Sequence, residues 1–173
     1  MKTITRQPQP HEYGAYYFNY ISKVQTDDVL RTLADAKRST PEFFKKLPKE
    51  KWDYRYAPGK WSIKGVLQHL IDGERVFAYR ALRIARNDMT PLPGFDEQLF
   101  AETCHADSRT PASLLAEYKA VRTATLHLYQ SFTKEDIARI GTASDFPASP
   151  LAIAFIIAGH ERHHLGVIRE RYL

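Results

Sequence analysis

The sequence predicts an all-α protein built as a four-helix bundle, and three observations carry that prediction. Four segments of bundle length place apolar residues at three- and four-residue intervals, the spacing of one buried helix face. Connections rich in proline and glycine separate these segments. No segment alternates apolar and polar residues as a half-buried strand would. With 173 residues the chain reads as one domain, 1–173, comprising an aromatic-rich N-terminal arm (1–25) and the helical bundle (26–173).

The arm carries Pro8, Pro10 and Gly14, then Tyr13, Tyr16, Tyr17, Phe18 and Tyr20. Aromatic rings at this density leave water, so the arm is expected to pack against the domain or a second subunit rather than serve a site directly. The first helix fits Asp27 to Leu47, with Leu30, Leu33, Lys37, Thr40, Phe44 and Leu47 on one face and acids at 27 and 28 suiting its N-terminus. Pro41 removes a donor and crowds the preceding turn, which predicts a kink or a break. The second helix starts at Ser62 as cap, continues through Ile63, Val66, Leu67, Leu70 and Ile71, and runs to about Arg86. The 24 residues from Asn87 to Thr110 form a long connection between the second and third helices, functional or covering by its length. Thr110 with Pro111 opens the third helix, which ends near Ser131. Ser149 with Pro150 repeats that start signal, and the fourth helix runs close to the C-terminus.

Composition narrows the class. Hydrophobic residues at 43% and aromatic ones at 12% supply a core and exclude global disorder. The longest apolar stretch, Leu151 to Gly159, is about half of what a bilayer-spanning helix needs, and MKTITRQPQP lacks the apolar segment of a signal peptide. One cysteine, Cys104, excludes an intramolecular disulfide, so the expected location is the cytoplasm. The net charge of +5 is polarised: residues 31–64 hold ten Lys or Arg against four acids, whereas 96–117 hold five acids against one Arg. These basic residues alternate with core-type positions, which reads as a solvated face rather than a nucleic-acid surface. Arg80, Arg83 and Arg86 could bind phosphate or carboxylate but read in the same way, as a solvated stripe.

The residues fit for chemistry lie in the fourth helix, at His160-Glu161-Arg162-His163-His164. Positions 160 and 164 are one turn apart, about 40° offset and roughly 6 Å along the axis, so both imidazoles project from one face and can converge on a metal ion. The apolar stripe Ile153, Ile157, His160, His164, Val167 favours this pair, while His160 with His163 remains a second pairing. His69, among Val66, Leu67, Leu70 and Gly73 on the second helix, is placed to add a third nitrogen, leaving positions on the ion for water or substrate. The structural alternative is a set of partly buried, hydrogen-bonded histidines. His11, His105 and His127 lack partners at chelating spacing, and the adjacent Cys104 and His105 are poorly arranged as nucleophile and base. The acidic residues Asp96, Glu97 and Glu102 could bring a base near the ion but read as an acidic surface loop. No catalytic residue is identifiable beyond the metal positions.

The segments Ala57-Pro58-Gly59-Lys60-Trp61-Ser62-Ile63, Gln68-His69-Leu70-Ile71-Asp72 and Ala158-Gly159-His160-Glu161-Arg162-His163-His164, in that order, resemble the DinB/YfiT superfamily of metal-binding four-helix bundles, over about Asp27 to Tyr172. The resemblance implies that His69, His160 and His164 hold a divalent metal ion such as zinc or nickel, with His163 as an extra histidine, and that the chain forms a homodimer. Trp61 and Ser62 match the start of the family's second helix, as a packed ring and a cap. Gly65 stands where many relatives place an acid that completes a capping box, which predicts a weaker helix start. Family members include thiol S-transferases, thiol-dependent isomerases and proteins with no assigned activity. The implied function is therefore a metal-dependent thiol S-transferase of the bacillithiol or mycothiol kind, acting on an electrophilic substrate in detoxification or stress response. The alternatives are a metal-dependent hydrolase and a non-catalytic metal-binding bundle acting through dimer or partner contacts. Neither nucleic acid nor membrane is an expected partner.

Overall fold

The computed structural model describes residues 3–26 and 28–173; the expected role of Asp27 at a helix start lies outside them. The elements in chain order are α1 (Phe18–Ile21), α2 (Val29–Lys45), α3 (Ile63–Ala85), α4 (Glu97–Thr103), α5 (Pro111–Ser131), α6 (Lys134–Ala138), β1 (Gly141–Ala143), β2 (Phe146–Ala148) and α7 (Pro150–Arg171). The bundle consists of α2, α3, α5 and α7, with α3 packed on both α5 and α7 and α2 on the same two helices. Among the described residues no helix is long and apolar enough to cross a membrane.

Each bundle helix starts where a side chain caps it. Asp28 accepts from the amides of Leu30 and Arg31, Ser62 from Gly65, Thr110 from Ser113 and Ser149 from Ala152. Ser62 also donates to Asp107 Oδ1 at 2.5 Å, so a carboxylate from the long connection braces the α3 start that lacks a capping-box acid. Helix α2 is not broken at Pro41; it continues to Lys45, and Pro41 is buried. Burial of the ring accompanies the lost backbone bond at that point, and the turn is tied down by Thr40, whose hydroxyl reaches Glu161 across the bundle.

Two features depart from the sequence reading, a short hairpin where no strand is expected and the burial of Arg80. A two-residue turn at Ser144 and Asp145, both with positive φ (51° and 66°), closes the hairpin β1–β2 with Gly141 opposite Ala148 and Ala143 opposite Phe146. Strands of three residues are too short to show alternation, and Ser-Asp lacks the glycine that signals such a turn. The hairpin anchors its surroundings: Leu92 pairs with it (Leu92 N–Thr142 O 3.0 Å, Ser144 N–Leu92 O 2.9 Å), and the Ser149 amide donates to the arm at Glu12 O, 3.0 Å. Arg80 is buried rather than part of a solvated stripe, and donates to Pro93 O and Ser144 Oγ, both at 2.8 Å, locking the long connection to the hairpin.

The apolar core falls into two clusters. One, toward the arm and hairpin, includes Leu33, Phe77, Leu126, Phe155 and Ile157; the other, at the opposite end, includes Phe44, Trp52, Ile63, Tyr118, Leu165 and Ile168. Between them α3, α5 and α7 present buried polar residues: Glu74, Arg122 and the pair His160–Glu161. The function of the protein is to be sought in this layer.

Candidate metal centre

His69 lies two turns past the Ser62 cap of α3, and His160 and His164 lie one turn apart in the middle of α7. Packing of α3 on α7 brings the three rings together, with centroids 4.7 Å apart for His69–His160 and for His69–His164 and 4.6 Å for His160–His164. The three offer ring nitrogens that lie within 4.8 Å of one another, and His69 Nε2 is 2.8 Å from His160 Nε2. His163 stays outside this group, its ring 4.9 Å from that of His164. Of the two pairings open on α7, the geometry therefore joins His69 to 160 with 164. His11, His105 and His127 are exposed elsewhere, and the Cys104 thiol turns to the Ala101 carbonyl at 3.3 Å rather than to His105.

The electrostatics suit cation binding. His160 is 6% exposed, and His69 and His164 are half-buried. Burial, with smaller repulsion from neighbouring imidazoles, lowers His69 to about 4 and His164 to about 3, and drives His160 well below its ordinary value. All three are neutral at pH 7, so each has a lone pair on one ring nitrogen. Two nitrogens at 2.8 Å cannot both present lone pairs without repulsion; either one carries the proton or a cation shares both. Three neutral imidazoles on two helices are a donor set that zinc-type ions accept, and the residues fit such an ion.

Close approach shapes the surroundings. A Cβ at Gly73 would lie 3.3 Å from His160 Cε1, so the glycine leaves room for that ring. A Cβ at Gly159 would overlap the Tyr20 backbone carbonyl, so the absence of a side chain is what lets the arm dock beside the centre. Tyr20 then stands edge-on to His160 (5.3 Å) and to His163 (5.5 Å), and Phe77 lies 5.9 Å from His160. Trp61 covers the other side, 4.7 Å from His69 and stacked at 6.4 Å on His164. The expected packed ring at Trp61 is thus part of the wall of the centre. So is Tyr20, although the arm was expected to pack without serving a site.

Glu161, beside His160, occupies the position where zinc proteases with paired histidines carry a general base. Here its carboxylate turns the other way, accepting from Arg122 Nη2 at 2.6 Å, from Tyr118 at 2.9 Å and from Thr40. Arg122 also grips Glu74 through two bonds of 2.8 and 2.9 Å and donates to Leu33 O. Sequence reasoning missed this network because its members come from four helices. The available signal was a charge on an apolar stripe: Arg122 falls one turn from both Tyr118 and Leu126.

A model of the DinB superfamily matches residues 32–168, most of the chain. The chain belongs to the DinB superfamily. Two relatives, from Bacillus cereus strain AH820 and Bacillus anthracis strain A0248, are each 24% identical over 151 residues, covering 86% of both partners, and are named as proposed metal-dependent hydrolases. YfiT from Bacillus subtilis, described as a proposed metal-dependent hydrolase with an unusual four-helix bundle topology, superposes with a TM-score of 0.74 at 17% identity, over 85% of this chain and 87% of that one. The fold of this DinB-superfamily chain is therefore the expected helical bundle.

A cleft of about 270 Å³ leads to the centre, lined by Tyr56, Lys60, Trp61, His163, His164 and Tyr172 among others. Gln98 of α4 stands at its edge. The neighbouring acids are surface groups, as expected: Asp96 caps α4, and Glu102 accepts from Gln98 at 2.9 Å.

Proposed function

We propose that the protein is a metal-dependent thiol S-transferase whose ion is held by His69, His160 and His164. A divalent ion in that donor set supplies Lewis acidity and open coordination positions, which lower the pKa of a small nucleophile. The imidazoles, kept neutral by burial, stay available as ligands through the physiological pH range. Trp61 and Tyr20 wall the centre and exclude bulk water from two sides. Lys60 and the rings of Tyr56 and Tyr172 in the cleft hold the electrophile. In the transfer a carbon–sulfur bond forms, the leaving group departs with its electron pair, and the thiol proton passes to solvent.

The observation that carries this reading over hydrolysis is the engagement of Glu161. Water activation at a metal centre gains from a carboxylate base, and the carboxylate adjacent to the ligand pair is committed to Arg122, Tyr118 and Thr40. A thiol, more acidic than water, loses its proton without one. Hydrolysis is the second reading, favoured by the names of the relatives. Cobalt(II)-loaded protein separates the two: a low-molecular-weight thiol should alter its visible spectrum and be consumed with an electrophile such as a chlorinated nitroarene. Turnover of activated esters with no spectral response to any thiol would replace transfer by hydrolysis.

A further inference from the structure

A second concavity, about 730 Å³ against about 270 Å³ for the cleft at the histidines, lies where the end of α2 and the connection after it meet the starts of α3 and α5. The two share no lining residue. Its floor is apolar: Leu47, Trp52 and Leu115, flanked by Pro111, Ala112 and Ala116. Its rim is basic, with Lys45, Lys49, Lys64 and Lys119 against the single acid Asp53. Two of these ammonium groups are already matched, Lys64 with Asp53 at 2.8 Å and Lys45 with Glu42 at 2.9 Å. Lys49 and Lys119 are exposed and have no carboxylate within ion-pair distance among the described residues.

An apolar floor under unmatched positive charge selects a ligand with an apolar body and one anionic end. A neutral hydrocarbon forgoes the lysines, a hydrophilic anion forgoes the floor, and a cation is repelled. We propose that this groove binds a monoanionic amphiphile, an alkyl carboxylate of about ten carbons, which suits a concavity of small-ligand size. The tail lies along Trp52 and Leu115, and the carboxylate meets Lys49 and Lys119. The site is separate from the histidine centre and does not depend on any activity there. It also gives a role to the basic excess of residues 31–64, three of whose lysines are on this rim.

The chain has two tryptophans, and they report on the two sites separately: Trp52 lies under the groove and Trp61 beside His69. Sodium decanoate titrated into ¹⁵N-labelled protein should shift the Trp52 indole resonance saturably and leave that of Trp61 in place, the two peaks being assigned with Trp61→Phe. Decanol should bind at least fivefold more weakly, and Lys49→Glu with Lys119→Glu should weaken decanoate at least fivefold in a protein that melts as the parent does. Ala116→Phe, which places a ring over the floor, should abolish the shift. The proposal is overturned by equal binding of decanol and decanoate, by a shift confined to Trp61, or by no saturable shift. It is equally overturned if only an acidic peptide or phosphatidylglycerol vesicles, and not free decanoate, bind at Trp52.

Discussion

His160 and Glu161 are neighbours on one helix, yet they belong to opposite kinds of buried polar environment. Glu161 faces a cation, a phenol and a hydroxyl, and Arg122 between it and Glu74 is 1% exposed with its donors engaged. The His160 ring packs against the other two imidazoles, Tyr20 and Phe77, and among the described residues no carboxylate lies within ion-pair distance of the three histidines. The consequences are opposite too. The ion pairs hold four helices in register, whereas the imidazoles, forced neutral by burial, bring two ring nitrogens within 2.8 Å, where one carries the proton or a cation shares both. One side of the layer is closed chemically; the other is open to a cation.

Breaking the matched side should give the largest effect. Arg122→Met leaves two carboxylates buried without a counter-charge and is expected to destabilise by about 3–5 kcal/mol in denaturant titration. The sharper experiment replaces the set, Glu74→Leu with Arg122→Met and Glu161→Leu, which should recover most of that loss, since apolar groups of similar volume need no partners. If the triple variant is no better than Arg122→Met, the network does more than satisfy itself.

On the open side, a cation should stabilise what a proton does not. Zinc or nickel at 100 times its dissociation constant is expected to add about 2.7 kcal/mol, read as a rise in melting temperature, and His160→Ala should remove that response. Loss of the response in Arg122→Met alone, with His160→Ala unaffected, would reverse the assignment of the two regions.

Acid distinguishes them in the metal-free protein. The folded-state value of His69 is about 4 against 6.5 for an ordinary histidine, so between these values the unfolded chain takes up protons that the folded chain refuses. Stability should be level above pH 6.5 on this account. It should decline below it, toward pH 4, by about 1.4 kcal/mol per pH unit for each such histidine. Saturating metal should move the decline to lower pH. The smallest effect concerns the helix that presents His69: Ser62→Ala removes the cap and the Asp107 contact, and about 1 kcal/mol should be lost with metal affinity little changed.

The legible parts of the molecule were those written locally. Ser62, Thr110 with Pro111, and Ser149 with Pro150 marked three helix starts, because a cap acts on amides two or three residues away. His160 and His164 could be placed on one face because a helical turn sets their spacing. The Ser144–Asp145 hairpin was hidden, since its turn has no glycine and its strands are too short to alternate. Arg80 looked exposed from its neighbours' spacing, and only the return of the chain at Pro93 and Ser144 buries it. Tyr20 and Glu161 depended on contacts across the bundle, which no local pattern encodes.

The docking of the arm on Gly159 has an evolutionary reading. The stretch matched by the superfamily begins at residue 32, so the phenol beside His160 comes from chain that precedes it. A leader grafted from another member could exchange that ring and leave the imidazole ligands untouched. The wall beside His160 is thus set by a short prefix, while the bundle supplies the three imidazoles.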